Sequence, residues 1–338
     1  MSDTINIGVI GTGRIGKVHI NTFSNLIPGA RVGAIADISL KSAQAVAKEH
    51  GIAKVYSDPG EILSDKSINA VAICSSTDTH AKLIEAAAKA GKHVFCEKPI
   101  ALELAKIDQA LAAVKKNKVT LMVGFNRRYD IGNARVRQAV LKGEIGKPEL
   151  CLVSSRDPGT PPLDYVKVSG GLFLDMMIHD FDLVRFLLDD DPVEIFAYAD
   201  CLVDPKIGKL GDVDTAIVSI RFKKGAIGHI DNSRRATYGY DQRAEVLGSK
   251  GMIKTTNLHE NNTVMAVKEG YSQPPILNFF MDRYIPAYQD EARTFVKCIK
   301  EGKPSPCSGA DGRLSVVMGF AAMKSLKEGR SVKISEIK

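Results

Sequence analysis

Ile5-Asn6-Ile7-Gly8-Val9-Ile10-Gly11-Thr12-Gly13-Arg14-Ile15-Gly16 is the stretch on which the reading of this chain turns. Its short apolar run of β-branched residues predicts a buried parallel strand. Gly11, Gly13 and Gly16 follow in G-x-G-x-x-G spacing. Gly11 permits a tight turn out of the strand. Gly13 keeps no side chain between the backbone and a pyrophosphate. Gly16 lets the next helix sit close on the strand. That helix, from about Arg14 to Phe23, would direct its N-terminal amides and dipole at the phosphates. Thr12, Arg14 and Ile15 lie within the same turn and join the three glycines as candidate cofactor contacts.

A second apolar strand, Val32-Gly33-Ala34-Ile35-Ala36, ends in Asp37. An acidic residue at that distance is what the dinucleotide fingerprint requires to hold the ribose hydroxyls. The 2′-phosphate of NADP would lie against this carboxylate, and like charges repel more strongly when partly desolvated. Ile38 brings no positive group to a phosphate, so NAD is the expected cofactor. Lys41 and Arg14 are the nearby cations that temper the preference. The alternative is a strand-to-helix turn that binds nothing, with Asp37 capping the following helix.

A chain of 338 residues suggests two domains, and 44% hydrophobic with 25% charged residues describes an ordinary globular protein. The net charge of +7 is spread over short pairs such as Lys115-Lys116, Arg127-Arg128, Lys223-Lys224 and Arg234-Arg235. No basic tract marks a nucleic-acid partner. Six cysteines are scattered without a C-x-x-C pair, which argues against a zinc ribbon or disulfide framework and for a reducing compartment. No metal site is predicted. No leader pattern and no span long enough for a bilayer is read, so the expected location is cytoplasmic.

Further along, a helix over 40–50, a short extended Val55-Tyr56 and a short helix from Pro59 lead to the buried strand Ala70 to Cys74. Ser75, Thr77 and His80 follow it. Small hydroxyl residues at the carboxyl end of a parallel strand sit where a doubly wound sheet binds ligand, which makes these three candidate cofactor contacts. Thr77 or Thr79 serves equally well as a helix cap. The strand His93 to Cys96 then runs into Glu97-Lys98-Pro99. Proline fixes φ and adopts the cis form in tight turns, which would aim Lys98 into the crevice; a surface lysine on a loop is the plainer alternative. A helix from about Leu104 to Lys116 and a strand Thr120 to Gly124 complete a parallel, doubly wound α/β domain, placed at 1–124.

From 125 to 338 the rhythm changes to an α+β domain with a mostly antiparallel sheet. A helix Asn133 to Lys142 comes first. Strands are expected over 149–155, 193–202, 215–222, 226–232, 243–247, 251–255 and 263–268. One long helix, 171–188, interrupts them, and helices over 287–301 and 309–328 end the chain. The interrupting helix carries Asp175 and His179. Four residues apart, they share a helix face, and a carboxylate beside an imidazole orients it and raises its basicity. An ion pair with no further role is the alternative. Oxidising an alcohol requires a base for the hydroxyl proton while hydride leaves carbon, and a histidine is poised for that at neutral pH.

With Gly11-Thr12-Gly13-Arg14-Ile15-Gly16, Glu97-Lys98-Pro99 and the Gly-Gly…Asp175…His179 helix in this order, the chain resembles the glucose-fructose oxidoreductase / inositol dehydrogenase / rhizopine-catabolism family over nearly its whole length. Ser169 stands where many members have a third glycine. The resemblance implies that Lys98, Asp175 and His179 form the catalytic triad and that the proline is cis. It implies that the open sheet face of the second domain mediates assembly, often to a homotetramer. It also implies that Asn126, Arg127 and Asp157 approach the substrate, and that Glu97, Lys98 and Arg127 border the cofactor. The expected activity is NAD-dependent oxidation of a cyclic polyol, myo- or scyllo-inositol first, to a keto-inositol with His179 as base. Relatives of the same kind suggest the alternatives of an NAD-dependent glycosidase, an aldose dehydrogenase or a non-catalytic dinucleotide sensor.

Overall fold

The strand β1 (Ile5–Ile10) is buried from Asn6 onward, as its unbroken apolar run demands. The computed structural model describes residues 4–338. In it, β1 pairs in parallel with β2 (Ala30–Ala36) and β4 (Ala70–Ile73). With β3 (Lys54–Tyr56), β5 (His93–Glu97) and β6 (Leu121–Gly124) they form a six-stranded parallel sheet ordered β3-β2-β1-β4-β5-β6. The strand order reverses beside β1 and β4, the switch point at which such sheets bind ligands. Helices α1 (Arg14–Asn21), α2 (Leu40–His50), α3 (Pro59–Ser64), α4 (Thr77–Lys89) and α5 (Leu104–Asn117) make the crossovers. Ile7, Val9, Ile35, Val71, Ile73, Val94, Phe95 and Val123 are fully buried, each stabilising the sheet by about 1.5–3 kcal/mol.

Helix α1 ends at Asn21, two residues before the expected Phe23, and passes into a π-helical turn over Thr22–Leu26. Phe23 in that turn joins an aromatic cluster with Phe95 and Phe295, at ring distances of 5.8–6.5 Å. Tertiary packing of one large ring has overridden the regular helical repeat.

The chain divides into two compact units, and the division differs from the expected one at 124/125. The first unit runs to Tyr129 and regains Ile285–Leu314; the second holds Asp130–Tyr284 and Ser315–Lys338. Phe125, Asn126, Arg127 and Arg128 are buried, and Arg128 donates to the Pro306 carbonyl (2.7 Å) and pairs with Asp311 (3.1 Å). Val123 donates its backbone N–H to the Cys307 carbonyl. A composition change at residue 125 therefore marks the end of the last strand and not the end of the unit, because apolar and charged partners from 285–314 complete its core.

In the second unit, α6 (Ile131–Leu141), β7 (Pro148–Arg156), α7 (Leu163–Ser169) and α8 (Ile178–Leu188) precede β8 (Pro192–Asp200) and α9 (Pro205–Lys209). Then come β9 (Thr215–Phe222), β10 (Ile227–Ser233), β11 (Asp241–Gly248), β12 (Gly251–Thr255) and the hairpin β13 (Met265–Val267) and β14 (Gly270–Ser272). Helices α10 (Phe280–Glu301) and α11 (Gly309–Glu328) and the short β15 (Val332–Lys333) end the chain. The seven-stranded sheet is ordered β12-β11-β7-β10-β9-β8-β15. Only β7 and β10 pair in parallel; every other pair is antiparallel. Strand β9 alternates buried and outward residues, as one covered face requires. On the covered face, Val136, Phe181, Val184 and Met318 pack with Val153, Val218 and Ile220. The other face presents Tyr198, Ile217, Ile227 and Leu247.

Three expectations need correction here. Within 263–268 the strand is Met265–Val267, which pairs with β14 in a separate two-stranded hairpin and does not join the large sheet. Helix α10 starts at Phe280 rather than 287, with Pro286 inside it. The single helix expected over 171–188 is broken: a π-helical turn spans Leu172–Met176, and α8 proper begins at Ile178.

Candidate active site

The dinucleotide turn of the first unit is built from backbone. Gly11 sits at φ 98°, a conformation that L side chains rarely adopt. A Cβ at Gly16 would collide with the Gly11 carbonyl, whereas one at Gly13 would meet nothing within 4 Å. Gly13 caps α1 and is exposed beside exposed Arg14. The open approach over Gly13 and the N-terminal end of α1 fit a pyrophosphate. Asp37 closes the other side. Its Oδ2 accepts from the Thr12 backbone N–H (2.6 Å) and hydroxyl (2.9 Å), and its Oδ1 from the Ser39 N–H (2.8 Å). Burial pushes this carboxyl up, but the bonds from Thr12 and Ser39 outweigh it and hold it below the usual range. Asp37 does not cap α2; Ser39 does, accepting from the Ser42 N–H. Ile38 is 97% exposed.

Around the ends of β4 and β5, Ser75 Oγ lies 2.6 Å from Thr79 Oγ1, and Thr79 donates to the Ser76 carbonyl. Ser76 is the N-cap residue of α4, with Thr77 its first residue. The two cap candidates, Thr77 and Thr79, therefore both lie inside the helix. The Lys98-Pro99 peptide is cis. His80, expected to touch cofactor, is 1% exposed. Its Nδ1 lies 2.8 Å from the Pro99 carbonyl and its Nε2 3.0 Å from that of Ser75. The ring ties the loop after β4 to the loop after β5. Glu97 is likewise turned inward: its Oε1 lies 2.7 Å from Nε2 of fully buried His19 on α1. Gly124, ending β6, leaves room for this carboxyl, which a Cβ there would press at 3.1 Å. His19 and Glu97 thus lock the first crossover helix to the strand that delivers Lys98. Nothing in the sequence around His19 marks it for this part.

The second unit assembles its polar cluster from side chains. Gly170 and Gly171, at φ 89° and 76°, end α7 and start the π-helical turn. Asp212 accepts the Leu172 N–H (3.0 Å), and the Met177 N–H closes the wide turn on the Leu172 carbonyl (2.8 Å). Such turns recur at functional sites. Here the turn carries Asp175, so the α-helical spacing used to pair it with His179 holds only from Ile178 onward. Asp175 is buried at 8% exposure, whereas His179 is half-buried. Asp175 Oδ1 accepts from the Tyr165 hydroxyl (2.8 Å), and Oδ2 pairs with Arg234 Nη2 (3.1 Å). Arg234 Nη1 reaches Asp157 Oδ2 at 3.3 Å. Burial alone would lower the basicity of Arg234; Asp175 and Asp157, helped by Asp212, outweigh it and raise it. Asp157 and Asp175, named from sequence, are thus brought together, and the residue joining them was missed. In the sequence Arg234 reads only as one half of a short basic pair with Arg235. Tyr240 and Tyr284 are buried against each other, ring edge to face, and Tyr238 donates to Asp241 (2.6 Å).

Comparison with known proteins bears on this arrangement. Residues 5–125 match the oxidoreductase family with an NAD-binding Rossmann fold, and residues 133–254 match the GFO/IDH/MocA C-terminal domain. The chain is 49% identical over 333 residues to the myo-inositol 2-dehydrogenase of Thermotoga maritima, covering 98% of this chain and 99% of that one. It is 45% identical to the inositol 2-dehydrogenase of Rhizobium meliloti, covering 98% and 100%. The crystal structure of a probable dehydrogenase from Thermotoga maritima superposes with a TM-score of 0.97 at 48% identity, covering 99% and 100%. That of scyllo-inositol dehydrogenase from Lactobacillus casei, with bound NAD(H) and scyllo-inositol, does so at 0.91 and 28% identity, covering 98% and 99%. Two family matches and relatives of this identity along the whole length show that the chain belongs to the GFO/IDH/MocA family of NAD-binding oxidoreductases.

Proposed function

We propose that this protein oxidises one secondary hydroxyl of a cyclic polyol, inositol first, to the ketone, with NAD as acceptor. The observation that carries the reading is the cluster in the second unit. Asp157 and Asp175 gather on the buried Arg234 guanidinium, and the Tyr165 hydroxyl donates to Asp175, which lies four residues before His179. A ring substrate that is all hydroxyls needs a dense set of fixed acceptors and donors, and bound NAD supplies the hydride acceptor. His179 takes the hydroxyl proton as the carbon loses hydride. Lys98 donates to the reacting oxygen, and its charge favours the developing alkoxide. Asp175 holds the imidazole. Asn126 and Arg127 contribute further contacts to the polyol. Gly11, Thr12, Gly13, Arg14, Ile15, Gly16, Asp37, Ser75 and Thr77 line the cofactor, with Ile38 beside the adenosine ribose. Glu97 and His80 hold Lys98 from behind.

The reading extends to assembly and location. Tyr198, Ile217, Ile227 and Leu247 on the uncovered sheet face form the kind of apolar surface that marks an interface, which suits a homotetramer. Six free thiols, five of them buried, suit the reducing cytoplasm. Among the described residues no helix is long and apolar enough to cross a membrane.

Initial rates of NADH formation on a panel of inositol isomers and aldoses test the activity. Steady NADH production from a free inositol is expected. Release of an aglycone from a glycoside without net NADH, or cofactor binding with no turnover of any polyol, would overturn it. Light scattering of the eluted protein tests the tetramer.

A further inference from the structure

We infer that Arg234 is the positioning residue of this site: its guanidinium bridges Asp175 and Asp157 and so sets the orientation and charge of the carboxylate that serves His179. The inference rests on the reading that Asp175 and His179 act in the reaction.

The anchoring begins in the backbone. Arg234 follows the last residue of β10, and its N–H donates to the Asp214 carbonyl (2.9 Å). Asp157 follows the last residue of β7, the parallel neighbour of β10. Its N–H donates to the Ser233 carbonyl (2.9 Å), and its own carbonyl accepts from Ala236 (2.7 Å). The one parallel pairing of the sheet therefore puts Arg234 and Asp157 side by side at the same strand ends. From there the guanidinium, with its side chain only 6% exposed, reaches across to Asp175 on the π-helical turn. Asp212, which holds the first amide of that turn, adds to the negative field at Arg234.

Two carboxylates and one guanidinium in a buried setting make a triad that tolerates no deletion. Without the cation, buried Asp175 and partly exposed Asp157 would face each other as like charges, and one would take up a proton or swing away. The Tyr165 hydroxyl, on a residue that is 47% exposed, would be left as the only one of these two donors on Asp175. Lysine does not substitute. It keeps the charge but has no planar fork to serve two carboxylates at once.

The test compares Arg234→Gln and Arg234→Lys with the parent full-length protein, using myo-inositol and NAD, with melting curves to establish folding. In Arg234→Gln, kcat is expected to fall about a hundredfold through misplacement of the reacting groups. In Arg234→Lys, which keeps the charge, it should fall about tenfold. The KM for NAD should stay within about twofold of the parent in both, because the residues assigned to the cofactor lie in the other unit. A general loosening of the fold would raise that KM along with the loss of kcat. If Arg234→Gln does not fold, Arg234→Lys decides alone. Folded variants with kcat within about twofold of the parent, or a KM for NAD rising in proportion to the loss, overturn the inference. His179→Ala separates the two readings. If it turns over normally, the assignment of the site falls. If it is inactive while both Arg234 variants are normal, only the bridge falls.

Discussion

Asp37 and Asp175 are both carboxylates held in place by short hydrogen bonds, and the bonds come from different kinds of group. Asp37 is gripped mainly by backbone amides, from Thr12 and from Ser39 two residues on. Asp175 is gripped by side chains, the Tyr165 hydroxyl and the Arg234 guanidinium, the latter 59 residues away. A backbone grip follows from the turn itself and survives most exchanges of side chains. A side-chain grip exists only if the tertiary structure delivers each partner, and each partner is one substitution from loss. The grip assigned to the cofactor therefore rests on a local turn, and the grip assigned to the substrate rests on contacts between side chains far apart in the sequence.

The contrast is open to direct attack, beginning with the side-chain half. His179→Ala should lower kcat by about 10²–10⁴-fold, the worth of a general base, while calorimetry shows NAD still binding. Loss of NAD binding in that variant would break the division of labour. On the backbone half, Gly16→Ala should act through the fold. Its Cβ would meet the Gly11 carbonyl, a backbone atom that cannot step aside, so roughly 3 kcal/mol or more of stability should go, read as a lowered Tm together with lost NAD affinity. A variant that melts like the parent would show that the turn is less tightly packed than described.

A smaller effect is expected from Asp37→Ser. Removing the carboxylate should shift the kcat/KM ratio of NAD to NADP by about 10–100-fold toward NADP, the scale of one charge repulsion at a partly exposed site. With Arg14 and Lys41 as the nearby cations, the parent is expected to show a strong bias toward NAD and some residual use of NADP. Equal efficiencies in the parent would remove Asp37 from cofactor choice.

The smallest effect sharpens the comparison within the second unit. Fully buried Asp214 is held as Asp37 is, by the backbone amides of Leu202, Val203 and Asp204. Burial pushes its carboxyl up, and those amides, with the Cys201 thiol, outweigh it and lower it. A folded value below the unfolded one, about 3.9, gives stability that is present above about pH 4 and lost as pH falls through the folded value. Urea midpoints between pH 6 and pH 3 should show the parent losing on the order of 1 kcal/mol more than Asp214→Asn. The variant should start lower and fall less. Parallel declines would mean that the carboxylate carries no linked proton.

The same distinction separates what was legible in the residues from what was not. The G-x-G-x-x-G turn, the parallel sheet and the acidic end of β2 are local patterns, because glycine spacing and apolar runs act over a few residues. Sequence alone determined those, together with Lys98, Asp175 and His179 as the groups to watch. Three things waited for tertiary structure: that 285–314 completes the first unit, that His19 meets Glu97 across 78 residues, and that Arg234 bridges two carboxylates. The π-helical turn beneath Asp175 belongs with them, since an α-helix is the default that periodicity predicts and only Asp212 and the packed core select the wider turn. In each case the partners are far apart in the chain. Their encounter depends on strand order and register, which composition and spacing do not encode locally.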